Sequence, residues 1–188
     1  MKQKAPFQPV PHEAVTRWGP GEAPEAWVPG DFILSRGTSP LSHLIRFGQG
    51  VRIHGGDRVF AHWSHAALVV SETGDLIEAN RPGVIRSHVK DYEHIEYRVV
   101  HTGADDHDRR QAVEFAEWCV EHLKLGRLIF FSLGLSMLTG RKFSFFSDGT
   151  TLCSGLVARA QERTGAIFNR APTHIAPADL AKYYDVRP

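Results

Sequence analysis

Cysteine is scarce in this chain. Cys119 and Cys153 are the only two in 188 residues, too few for a disulfide framework and unable by themselves to make a thiolate zinc site. Surplus charge of one sign is missing too. The 22 lysines and arginines stand against 21 acids, a net charge of +1, so no long-range field draws in nucleic acid or an anionic membrane. Any partner must be recognised locally. Long apolar runs are absent: Leu128 to Leu138 (LIFFSLGLSML) spans 11 residues, against roughly 20 needed to cross a bilayer. The first residues, MKQKAPFQPVPHEAV, contain no apolar stretch able to serve as a signal-peptide core. These absences predict a cytoplasmic protein with no stable membrane insertion, no nucleic-acid partner and no metal. What remains, 42% hydrophobic and 23% charged residues, is enough for one domain with a sizeable core.

Six of the 11 prolines fall before Gly30, and proline sustains neither helix interiors nor central strands. Residues 1–29 are therefore expected to form an arm, pinned to the body by Trp18 and Trp27, with residues 30–188 as the main domain. Past Gly30 come short runs of strand composition: 31–34 (DFIL), 65–70 (HAALVV), 75–79 (DLIEA), 84–89 and 95–101. Thr73-Gly74 and Pro82-Gly83 punctuate them as turns, which predicts an antiparallel meander. Between the first two runs, Leu41, Leu44, Ile45 and Phe47 predict a short helix followed by a Gly-rich loop.

A second helix begins at the acids Asp105, Asp106 and Asp108 and carries Ala112, Ala116, Cys119, Val120 and Leu123 on one face until Gly126. Cys119 is read as an inert core thiol. A third helix opens with Thr150 or Thr151 as N-cap and runs from Cys153 to Thr164, with Gly165 as its stop. The tail 172–184 predicts a last short helix.

Cys153 differs from Cys119 by position. A thiol in the first turn of a helix lies close to unpaired N–H groups and the positive dipole end, which favour thiolate. Small residues follow it, Ser154 and Gly155, leaving room for a substrate carbonyl and a backbone oxyanion donor. Such a nucleophile needs an imidazole and a group that orients it. Of the 11 histidines, His65 alone opens an apolar strand. The following strand offers Glu78 and Asn80 on one face. A two-residue turn at Glu72-Thr73 pairs His65 with Asn80 and sets Glu78 on the diagonal; a three-residue loop reverses the faces. A rival metal site would gather His62 and His65 with His54 or Asp57, although residues three apart on a strand face opposite ways.

The residues GDFIL (30–34), SHAALVV (64–70), LIEAN (76–80), Gly83-Val84, Leu125-Gly126, LCSGLV (152–157) and APADL (176–180) together resemble the circularly permuted papain-like amidases of the NlpC type, to which lecithin retinol acyltransferase is more distantly related. In that group the histidine strand precedes the cysteine helix, the order found here. The resemblance implies an α+β permuted papain-like fold: an antiparallel sheet or small barrel packed against the helix that bears the nucleophile. It also implies Cys153 as nucleophile, His65 as general base and then acid, and Glu78 as orienter, with no cofactor.

Ser64, Trp63 and Ser154 are candidates for the oxyanion pocket. Relatives often carry an aromatic residue just before the nucleophile, where this chain has Leu152, and the segment 127–148 is longer and more apolar than expected. The expected activity is cysteine-dependent hydrolysis of an amide in a peptide, peptidoglycan-type or acyl-amide substrate. Two alternatives stand beside it. One is a lipid acyltransferase or phospholipase with Phe130, Phe131, Phe143, Phe145 and Phe146 along an acyl groove; the other is a non-catalytic binding module.

Overall fold

A computed structural model describes residues 15–80, 83–122 and 153–188. The expectations for 1–14, for the end of the second helix at Leu123 to Gly126, for 127–148 with its five phenylalanines, and for Thr150, Thr151 and Leu152 lie outside the described residues. The architecture is α+β. Six antiparallel strands, β1 (Val15–Trp18), β2 (Phe32–Arg36), β3 (His65–Val69), β4 (Asp75–Asn80), β5 (Gly83–His88) and β6 (Glu96–Val100), lie in the order β1-β6-β2-β3-β4-β5. Strands β2 to β5 form the expected meander, and β6 returns to the far side of β2.

β1 was not foreseen, because prolines crowd that end of the chain. It forms in the proline-free window between Pro11 and Pro20 and pairs with β6 at the sheet's edge, from Val15↔Val100 to Trp18↔Tyr97. Among the described residues four helices accompany the sheet: α1 (Pro40–Arg52), α2 (Asp106–His122), α3 (Cys153–Gln161) and α4 (Pro177–Tyr183). α1 starts at Ser39, whose hydroxyl accepts the Ser42 N–H at 3.1 Å as an N-cap. The Gly-rich stretch after it is a 3-10 helix over Gly55–His62 rather than a loop. α3 tightens into a 3-10 turn over Glu162–Thr164 and ends at Gly165, left-handed at φ 87°. Among the described residues no helix is long and apolar enough to cross a membrane.

Alternation along the strands gives each face of the sheet its own apolar layer. Phe32, Leu34, Ala66, Leu68, Ile77 and Ala79 pack with α2, α3 and α4, and Cys119 is buried there as the core thiol, its pKa pushed up by burial to about 11. The opposite face, Ile33, Ala67, Val69, Leu76 and Val99, is covered by Trp27, Val89, Tyr92 and Tyr97, with Trp18 packed alongside. Each fully buried branched or aromatic side chain stabilises the fold by about 1.5–3 kcal/mol.

Buried polar groups fix how these layers meet. Asp31, fully buried, accepts from Arg109 Nη1 at 2.5 Å and from the Thr102 N–H at 3.0 Å, and contacts His101 Nδ1 at 2.5 Å. That knot joins the start of β2 to the end of β6 and the first turn of α2. Gly30, at φ 91°, lets the chain turn into β2 there, and a Cβ on it would come within 2.9 Å of Arg109. Asp31 titrates below the usual carboxylate range: burial opposes ionisation, but His101, the Thr102 N–H and Arg109 outweigh it.

Candidate functional site

The site is built where β3 and β4 come apart. Their ladder holds Leu68↔Ile77 and Val69↔Leu76, the register of a two-residue turn at Glu72-Thr73, and has no further rung toward His65. In that register His65 and Glu78 project from the same side of the sheet. Alternation sends the Val70 N–H to Asp75 O at 2.9 Å, so the Ala66 N–H also points toward β4, where no strand partner awaits it. The Cys153 sulfur, at the head of α3, lies close to that N–H and to the N–H of Ser154.

Beside the sulfur lies the His65 ring, close against Cys153 on one side and hydrogen-bonded through Nε2 to Glu78 Oε2 on the other. Nε2 is therefore committed to the carboxylate, which leaves Nδ1 for the sulfur. Glu78 is buried at the centre of β4 and takes a second hydrogen bond on the same oxygen from the Tyr92 hydroxyl, at 2.9 Å. The Tyr92 ring lies nearly parallel to the imidazole, with centroids 6.4 Å apart and planes at 18°. The Ser87 hydroxyl is also close to the carboxylate but makes no hydrogen bond of standard geometry.

Electrostatics follow from this arrangement. Burial disfavours charge on all three groups, yet the neighbours of each shift it toward its ionised form. Cys153 is lowered from the ordinary thiol range by the imidazolium, the hydrogen bond to it and the two backbone N–H groups. His65 is raised to about 10 by the thiolate and by Glu78. Glu78 is lowered to about 2, chiefly by His65, with Tyr92 assisting. A thiolate–imidazolium pair backed by a carboxylate is the form suited to nucleophilic attack.

Cys153, His65 and Glu78, candidates from sequence, thus converge. Asn80, the alternative orienter, lies exposed at the end of β4, opposite Gly83 in the next hairpin. The three pocket candidates are spent on structure. Ser64 is buried, donating to Ser35 O at 3.3 Å and accepting the Gly37 N–H at 2.9 Å. The Trp63 indole donates to Val186 O at 2.9 Å, and the Ser154 hydroxyl to Ile175 O at 2.6 Å. None of these side chains is left to meet an oxyanion.

Among the described residues the two-histidine metal alternative is not assembled. His62 Nε2 turns to Glu96 at 3.0 Å, Asp57 to Lys182 at 2.6 Å, and His54 is exposed. Sequence reasoning missed Tyr92. Its 3-10 turn, Val89–Tyr92, is capped reciprocally: His88 Nδ1 accepts the Lys90 N–H at 3.0 Å, and Asp91 accepts the His88 N–H at 3.1 Å. An acid three residues past the cap was the available signal. No protein-family model matches the chain, and a search of curated proteins found no significant relative.

Proposed function

We propose that this chain is a cysteine-dependent hydrolase of the permuted papain-like class, cleaving an amide bond in a peptide, peptidoglycan-type or acyl-amide substrate. The observation that carries this reading is the line Cys153–His65–Glu78: a nucleophile at a helix head, an imidazole against it, and a carboxylate on the imidazole's far nitrogen. A reducing compartment such as the cytosol suits an enzyme that depends on a free thiol.

In this mechanism His65 Nδ1 takes the Cys153 proton, and Glu78 holds the ring in the orientation and tautomer that this requires. The sulfur bonds to the substrate carbonyl carbon while the C=O electron pair moves onto oxygen, where the Cys153 N–H is a donor. Collapse restores the carbonyl and breaks the C–N bond; the amine leaves with the proton from His65. Water then attacks the thioester with His65 as base, releasing the carboxylic acid and returning the thiol.

Alkylation by iodoacetamide tests the chemistry. Wild type should label at Cys153 rapidly well below the free-thiol pKa of about 8.5, and His65→Ala should label slowly there. Equal, slow labelling of the two proteins would make the chain a binding module instead. Turnover of acyl-amides against dispersed phospholipids then separates amide hydrolysis from lipid acyl chemistry.

A further inference from the structure

Strand alternation sends Arg98 of β6 into an apolar layer. It lies directly opposite Leu34 of β2, and Val100 two residues on shares its side of the sheet, so its arm runs among core side chains and is only 4% exposed. Arg98 is the one buried lysine or arginine among the described residues. A buried charge is costly unless it is matched. The buried carboxylates Asp31 and Glu78 are matched, by Arg109 and His65. Among the described residues no acid pairs with Arg98 and no oxygen accepts a hydrogen bond from it; its guanidinium rests against the Trp63 ring, with Cζ 5.9 Å from the centroid.

The surroundings sharpen the mismatch. Glu96, two residues back on the same side of β6, is taken by His62 at 3.0 Å and Arg36 at 3.4 Å. On β1 the residue in register with Arg98 is Arg17, a second cation and exposed, and like charges directly opposite destabilise a strand pair. Burial and then Arg17 draw the Arg98 pKa down to about 10, which Glu96 only partly offsets, so the charge persists at neutral pH. The guanidinium is not sealed in. Among the described residues the sealed side-chain polar atoms that lack a hydrogen bond are Trp18 Nε1, Ser87 Oγ and the Tyr184 hydroxyl, and the Arg98 nitrogens are not with them. Those nitrogens are unpaired and still reachable from outside.

We propose that Arg98 and Arg17, facing each other across β6 and β1, form a binding site for a phosphate group, carried as free phosphate or on a phosphomonoester. A tetrahedral dianion matches two guanidiniums in charge, and its oxygens meet both donor forks at once. A single carboxylate would leave one positive charge unmatched. The site is separate from the cysteine centre: Leu34 and Ala66 are paired and point the same way as Arg98, whereas His65 alternates with Ala66 and faces the other side of the sheet. Phosphate binding therefore does not depend on Cys153 being a nucleophile.

Thermal melting and titration calorimetry of the full chain test it, with inorganic phosphate, glycerol phosphate or acetate added at constant ionic strength. Both phosphates should raise the melting temperature of wild type, and acetate should not. Affinity for glycerol phosphate no better than for inorganic phosphate assigns the site to the free ion; tighter binding assigns it to a phosphomonoester. Arg98→Met keeps an apolar arm in the layer and should weaken phosphate binding about ten- to hundredfold. Without phosphate it should melt at or above wild type, because an unmatched buried charge is gone. Arg17→Met removes an exposed partner and should weaken binding about threefold. No phosphate response in wild type, an undiminished response in Arg98→Met, or acetate binding as tight as phosphate overturns the proposal. So does melting of Arg98→Met far below wild type in phosphate-free buffer, which would make the cation a prop already balanced within the fold. Failure of Cys153 to label would sink the hydrolase reading and leave these outcomes untouched.

Discussion

Replacing Glu78 by Gln keeps the side chain's size and the oxygen that Tyr92 binds, but removes the charge behind His65. The magnitude follows from the fall in the carboxyl pKa from the usual 4.5 to about 2. At about 1.4 kcal/mol per tenfold change, the ionised form is worth about 3 kcal/mol more in the folded protein than in the unfolded one. That difference is already net of the burial penalty, and the group is almost wholly buried, so solvent screens it little. The His65 shift reports the same contact from the other side and is not added to it. Because the folded pKa is depressed, the stabilisation is complete above the unfolded value near 4.5 and fades as pH drops toward 2.

Urea unfolding should therefore put Glu78→Gln about 3 kcal/mol below wild type at neutral pH, with the gap closing between pH 4.5 and 2. The variant's Cys153 should also alkylate more slowly at neutral pH, because the imidazolium that lowers the thiol is weakened. A gap under about 1 kcal/mol at neutral pH, or one that persists unchanged down to pH 2, would refute the reasoning.

Tyr92→Phe deletes one of the two donors on Glu78 Oε2 and should cost about 1–2 kcal/mol in urea unfolding; an unchanged pH profile of Cys153 alkylation would reduce Tyr92 to packing. Asp31→Ala strands Arg109 in the knot beside β2 and should cost about 3–5 kcal/mol. In wild type that contribution is present above the ordinary aspartate pKa and is lost on acidification below it, which acid-unfolding curves of the two proteins will compare. Ser154→Ala leaves the Ile175 carbonyl without its donor and should cost about 1–2 kcal/mol with no effect on alkylation. A drop in alkylation rate would restore the hydroxyl to the chemistry.

The meeting of Cys153, His65 and Glu78 was more legible in the sequence than its supports. His65 and Glu78 could be related because one short turn separates their strands, so a local residue count decides which side chains share a face. Cys153 was marked out by its place in the first turn of a helix together with the joint order of the short motifs that carry the resemblance. The supports depend on contacts that no local pattern encodes. The hydroxyl of Ser154 is used by a carbonyl 21 positions away, and the Trp63 indole by one 123 positions away; a scan for small polar neighbours could only count them as pocket candidates. β1 escaped notice because proline density was weighed over the whole arm, whereas an edge strand needs only four free residues. Tyr92 sits in a 3-10 turn, too short for periodicity to register.

The missing rungs between β3 and β4 carry a consequence for measurement. Had the hairpin zipped to its mouth, the Ala66 amide would be spent on the Ala79 carbonyl and the sulfur would find no donor there. As built, that amide proton is shielded by a side chain rather than by a neighbouring strand. Its deuterium uptake should therefore quicken when Cys153 is truncated to alanine, while the Leu68 and Val70 amides keep their protection, making one backbone position a direct gauge of whether the sulfur is seated.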